Sequence, residues 1–153
     1  MKFLRDWGPA LAWATLISYF STDVFSWQHT SHVIIPILAW FFPHAKTETL
    51  LAAHFYIRKS GHFWEYFLLS LLLLRGIRAG RPGWRWAWAL TALAVAAAYA
   101  GLDELHQAFV PSRSASIYDV LLDSSGAAVA QVFAAVRGWR TTRASPGART
   151  PLC

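Results

Sequence analysis

The side chains able to do chemistry are concentrated in three short stretches. The first is Arg58-Lys59-Ser60-Gly61-His62-Phe63-Trp64-Glu65-Tyr66; on a helix His62, Glu65 and Tyr66 stand at i, i+3 and i+4 and share one face. The second runs from Tyr99 to Arg113 and carries Asp103, Glu104, His106 and Gln107, with Tyr99, Asp103 and Gln107 on one i, i+4, i+8 stripe. Pro111 is expected to stop that helix and to turn Arg113 back toward the carboxylates. The third, Tyr118 to Gly126, places Asp119, Asp123 and Gly126 at i, i+4 and i+7, with Asp123 roughly 6 Å deeper than Asp119. Carboxylates gathered beside an imidazole in a partly dry setting can have their proton affinities pushed apart. That is the requirement for general acid and base chemistry, and Glu65, Asp103, His62, Asp119 and Asp123 are its candidates. Arg58, Lys59 and Arg113 could hold a phosphate or carboxylate, with Tyr66, Glu104, His106 and Gln107 completing a binding surface.

The elements that must position these groups are apolar. Of 153 residues, 56% are hydrophobic and 14% charged, against about a quarter charged in a soluble domain. The mean hydropathy is +0.33. Four runs read as membrane helices: Trp7 to Phe20 with its flanks, about Ser60 to Ile77, Trp84 to about Leu102, and Ile117 to Val136. With its start at Trp7 the first helix would carry Pro9 harmlessly in its first turn. His32 to Pro43 and Glu48 to Ile57 are too short to span and read as interfacial or re-entrant segments, one bent crossing being the rival reading. Gly126 with Ala130, and Ala97 with Gly101, are small-residue pairs that would let neighbouring helices approach closely. The fold expected is therefore all-α: a polytopic membrane domain over residues 1–140 with four transmembrane helices and interfacial segments between the first and second, then a disordered tail over 141–153.

A net charge of +6 does not point to nucleic acid, because ten of the fourteen Lys and Arg border apolar runs. These are Lys2 and Arg5; Arg75, Arg78, Arg81 and Arg85; and Arg137, Arg140, Arg143 and Arg149. The positive-inside rule places all three groups, and both termini, in the cytoplasm. Four crossings satisfy that alternation, and five would not. Of the eight acids only Asp6 then lies inside; Asp23, Glu48, Glu65, Asp103, Glu104, Asp119 and Asp123 fall at the outer end. An acid within a membrane helix is costly and is a functional candidate by default. The plainer role is a salt bridge to Arg58, Lys59 or Arg113 that keeps the helices in register. Met1 to Phe20 lacks the small-x-small site of a cleaved signal peptide, and the sole cysteine, Cys153, matches no prenylation box.

Other features have plainer readings. His62, Glu65 and Asp103 could take a divalent metal such as zinc or manganese, but no HExxH or comparable metal box accompanies them, so no cofactor is assigned. His29, His32, His44 and His54 read as solvated. Trp84, Trp86 and Trp88 read as an interfacial belt. Ser124 and Ser125 lack a nucleophile elbow and read as packing residues.

Arg58-Lys59-x-x-His62-x-x-Glu65-Tyr66, then Asp103-Glu104-x-x-Gln107-x-Phe109-x-Pro111-x-Arg113, then Asp119-Val120-x-x-Asp123-x-x-Gly126, resemble the VanZ family in order, spacing and placement. The resemblance extends from Phe20-Ser21 through the fourth helix; position 123, aspartate here, is often asparagine in that family. It implies a bacterial cytoplasmic (inner) membrane protein and an association with low-level teicoplanin resistance, without implying a reaction. Three functions follow as expectations. The first is a membrane enzyme, or enzyme-like protein, acting on a lipid-linked or other cell-envelope substrate at an outward acidic site. The second is a non-enzymatic glycopeptide-resistance factor that binds an envelope intermediate. The third is a small transporter, which four helices without an inverted repeat disfavour unless a homo-oligomer builds the conduit.

Overall fold

The computed structural model describes residues 1–111, 113 and 115–143, with side chains described through Gly138. Among the described residues five helices follow in order: α1 Lys2–Phe20, α2 Trp27–Phe41, α3 Thr47–Arg78, α4 Trp86–Gln107 and α5 Ile117–Arg143. A single 3-10 turn, Asp23–Phe25, joins α1 to α2, and there is no strand among the described residues. The expected tail lies outside the described residues from 144 onward.

α3 is the hub and packs against each of the other four helices. At 32 residues it is roughly 48 Å long, well beyond a bilayer's hydrocarbon core. Glu48 to Ile57 is not a separate segment, as expected from the sequence, but the first third of this helix. The polar stretch from Arg58 to Gly61 contains no proline to break it, and its charges are engaged by neighbours. His32 to Pro43 belongs mostly to α2, which at 15 residues is too short to cross and packs on the start of α3 as a helical hairpin.

α1 begins at Lys2, so Pro9 lies in its second turn, not the first. Proline lacks the N–H that would bond the carbonyl four residues back. That carbonyl, on Arg5, instead accepts a hydrogen bond from the Arg75 guanidinium at 3.0 Å. The contact joins the start of α1 to the end of α3. At the same end Trp7 lies against Gly76, and Trp84 against Gly138. The arginine-bearing segments therefore share one end of the bundle. α3 stops there at Ala79, in the left-handed conformation (φ 47°), followed by Gly80 at φ 76°, where a side chain would be strained.

Small and polar residues make up much of the interior, beside the larger Ile17, Tyr66, Leu69, Leu73, Leu74 and Trp88. α4 turns Ala89, Ala92, Ala96 and Ala100 inward while Leu90, Val95, Leu102 and Leu105 face out. Large side chains outside and alanines inside reverse the soluble arrangement and let helix backbones approach. The inward stripe differs from the Ala97–Gly101 pair expected from the sequence, and a Cβ on Gly101 would meet nothing. Trp88 is likewise core and not belt, whereas Trp86 is exposed. Deeper in the α3–α5 contact Ser70 donates to the Ala127 carbonyl, and the Gln131 amide donates to the Ser70 hydroxyl at 2.7 Å.

Two helical segments, Trp86–Gln107 and Ile117–Gly138, are long and apolar enough to cross a membrane. α1 and α3 fall short of that measure for identifiable reasons. α1 spends its first turns on Lys2, Arg5 and Asp6, and α3 carries His62, Glu65 and Arg75 inside its apolar run. The residues that make α3 less apolar include those that build the site.

Candidate functional site

The end of the bundle opposite the arginine-bearing segments is assembled from all five helices and the connections α1–α2 and α4–α5. α5 meets α3 through a ladder of contacts. Lys59 is ion-paired with Asp119, and His62 Nδ1 lies 3.7 Å from an Asp123 carboxylate oxygen. One turn further, Gly126 sits so close to α3 that an added Cβ would collide with the Phe63 carbonyl. The spacing of Asp119, Asp123 and Gly126 along one helical face is what makes the ladder.

α4 contributes a second set. The Asp103 carboxylate accepts hydrogen bonds from the Ser21 hydroxyl at 2.7 Å and the Gln107 amide at 3.0 Å, all three residues being buried. Glu104, also buried, accepts from the backbone N–H of Ser116 and so brackets the connection between α4 and α5. Tyr99 donates to the Ala14 carbonyl at 2.7 Å and lies 2.6 Å from the Ser18 hydroxyl, fixing α1 to α4. Trp13 completes the attachment by donating to the backbone carbonyl of Glu65 at 2.9 Å.

The two arginines hold backbone. Arg113 donates to the carbonyls of Phe20 and Thr22, capping the negative end of α1. Its Nε–H is buried without an acceptor among the described residues. Burial pulls this guanidinium below its ordinary pKa, while Asp103, Asp23, Glu104 and Glu65 act in the opposite direction. Arg58 donates to the Phe25 carbonyl at 2.7 Å and the Thr30 hydroxyl at 2.9 Å. The plain expectation of arginine–carboxylate bridges gives way to arginines that organise the α1–α2 connection, leaving Lys59–Asp119 as the lysine-to-acid pair of the site.

Two cavities open among these groups. The larger, about 240 Å³, is lined by the apolar Phe20, Phe25, Ile34 and Ile57 and by the polar Arg58, His62, Glu65 and Arg113. The smaller, about 150 Å³, shares Arg58, His62 and Arg113 and adds Lys59, Gln107 and Asp119. Apolar, cationic and acidic side chains thus line the same space. The Glu65 carboxylate, expected to find a protein partner, makes no hydrogen bond or ion pair among the described residues. It stands within electrostatic reach of His62, Asp123, Asp103 and Arg113.

The remaining predicted residues are placed differently. Tyr66 is fully buried and lines neither cavity; its hydroxyl has no hydrogen-bond partner among the described residues, and its ring lies 6.3 Å from that of Tyr99. His106 is exposed and lines neither cavity. Among the described residues no three His, Cys, Asp or Glu side chains are grouped to hold a metal ion. His54, read as solvated, is fully buried. Trp27 stacks on it at 4.2 Å, and Thr30 lies 3.2 Å from its Nε2. Ser18, Ser21 and Thr30 also have structural parts that isolated serines and threonines at the edges of apolar runs do not announce. The aligned polar positions of α3, by contrast, could be read as one face.

His62 and Asp123 make a specific prediction. At 3.7 Å the contact is electrostatic and too long for a hydrogen bond, and Asp123 is 1% exposed. His62→Leu would leave that carboxylate buried and unpaired, a change that costs roughly 3 kcal/mol or more. The double change with Asp123→Leu should recover most of the loss. Melting midpoints in detergent read both, and a His62→Leu variant as stable as the parent would show that the pair contributes nothing.

A family model described as VanZ/LLP1 matches residues 7–138. That interval includes the residues named above as lining both cavities, and the α3–α5 contacts of Lys59, His62 and Gly126. No curated protein and no solved structure matches the chain. The chain belongs to the VanZ/LLP1 family.

Proposed function

We propose that the chain is a multi-pass protein of the bacterial cytoplasmic membrane, with the arginine end in the cytoplasm and the acidic end outside. In this reading the acidic site binds and modifies an anionic, lipid-linked cell-envelope substrate. α1, the apolar part of α3, α4 and α5 are the four crossings, and the α2–α3 hairpin lies at the outer surface. Supporting the orientation, the arginine segments share one end and the acids of α3, α4 and α5 the other. Single cysteines in a Cys153→Ser background test it. Phe109→Cys should react with a membrane-impermeant maleimide on spheroplasts, and Pro82→Cys only after permeabilisation. The reverse pattern would invert the protein and place the site in the cytoplasm.

The observation that supports the activity is a cavity lined by apolar side chains together with Arg58, Arg113 and Glu65, whose carboxylate makes no hydrogen bond or ion pair among the described residues. An anionic headgroup meets the guanidiniums, an attached lipid chain meets Phe20, Phe25 and Ile34, and Glu65 remains free to take or give a proton. His62 beside Asp123 supplies a second proton carrier. Lipid and cell-wall-precursor profiles of a deletion strain, with and without the complementing chain, test this. At least one anionic lipid-linked species should change and return to its level on complementation. Unchanged profiles would sink the proposal.

A further inference from the structure

We propose that the arginine end of the bundle holds a second binding site, for the headgroup of an anionic phospholipid in the adjoining leaflet. Two cavities of about 370 and 280 Å³ lie there and share Leu71 and Arg78 as lining residues. Arg137 and Trp84 line the first, and Arg75 and Arg81 the second. Neither residues 66–102 nor residues 124–153 contain an Asp or Glu, so the segments carrying these guanidiniums bring no side-chain carboxylate of their own. Asp6, the acid of the N-terminal segment, is paired with Arg5 at 3.2 Å.

The guanidiniums are held in place before any ligand arrives. The left-handed turn at Ala79 and Gly80 folds the chain back, so that Arg81 Nε donates to the Arg78 carbonyl at 2.9 Å and its NH2 group to that of Ile77. Arg78 donates in return to the Arg81 carbonyl at 3.3 Å. The Arg137 guanidinium lies 5.4 Å over the Phe133 ring. Such preorganisation lowers the ordering cost of binding. Trp84 adds an indole N–H that is buried without an acceptor among the described residues.

The walls argue for a lipid over a soluble anion. Leu71, Leu74, Phe133 and Ala134 line the cavities, and Val132, Phe133 and Val136 continue as an exposed apolar strip on α5. A phosphodiester among the arginines would lay its acyl chains along that strip. Basic pockets between membrane helices suit anionic headgroups for this reason.

The test uses the full-length chain in nanodiscs of phosphatidylcholine with and without phosphatidylglycerol, reading retained lipid by native mass spectrometry and the melting midpoint. Phosphatidylglycerol should be retained and should raise the midpoint. Arg78→Gln should weaken retention about fivefold, whereas Arg85→Gln, the same charge loss at the same end but outside both cavities, should leave it unchanged. Equal losses from the two variants would reduce the effect to general surface charge and overturn the site. So would equal retention of phosphatidylcholine, or an equal midpoint shift from soluble glycerol phosphate.

Discussion

Replacing Glu65 with Gln is expected to lower conversion of the envelope substrate at least about a hundredfold, the lower range for losing a positioned acid or base. The fold should persist. The carboxylate lines the larger cavity and makes no hydrogen bond or ion pair among the described residues, while the hydrogen bond from Trp13 goes to the residue's backbone carbonyl. Glutamine keeps the shape and removes only the charge and the titratable proton. Asp103→Asn is the useful contrast. Its carboxylate is held by Ser21 and Gln107 and fastens α1 to α4, so stability and activity should fall together. Mass spectrometry of the substrate pool in strains complemented with each variant, with melting of the purified proteins, separates the two. Full conversion by Glu65→Gln would make the site a binding site and remove the chemistry.

Gly126→Ala is expected to be the most damaging single methyl in the protein. A Cβ there meets the Phe63 carbonyl oxygen, with the Phe63 carbonyl carbon at 3.1 Å and Cα at 3.3 Å. These are backbone atoms, which cannot rotate aside, so α3 and α5 must separate. Overpacking of this kind costs about 3 kcal/mol or more, or roughly 6–12 °C in melting midpoint for a chain of this size. Separation would also pull Asp123, one turn earlier, away from His62 and widen the cavities. Gly101→Ala, on the same family of small-residue positions, faces open space and should be neutral or slightly stabilising through its helix propensity. A Gly126→Ala protein that melts with its parent would show that the close approach of α3 to α5 is not required.

Much of this organisation was legible in the one-dimensional pattern. Apolar runs with arginines at one end and acids at the other mark out the helices and the two poles, and Asp119, Asp123 and Gly126 at i, i+4 and i+7 mark a helix face that meets a neighbour. The continuity of α3 was not legible. Arg58-Lys59 reads as a boundary when its solvation is counted alone, but in the fold Arg58 satisfies the Phe25 carbonyl and Lys59 pairs with Asp119. His54 was misread for the same reason, since its burial is created by Trp27 and Thr30 from another helix.

The order of residues along each helix already assigns side-chain types to helix faces, because helical periodicity is local and each turn repeats the same angular step. Which of those faces meet is set by the packing of the helices against one another. It set Ser21 against Asp103, gave Arg113 and Arg58 to the carbonyls of α1 and the α1–α2 connection, and left Glu65 lining a cavity with no hydrogen bond or ion pair among the described residues. Those pairings depend on how closely backbones approach at Gly126 and along the α4 alanines, and that distance is a property of packed helices, not of any one of them.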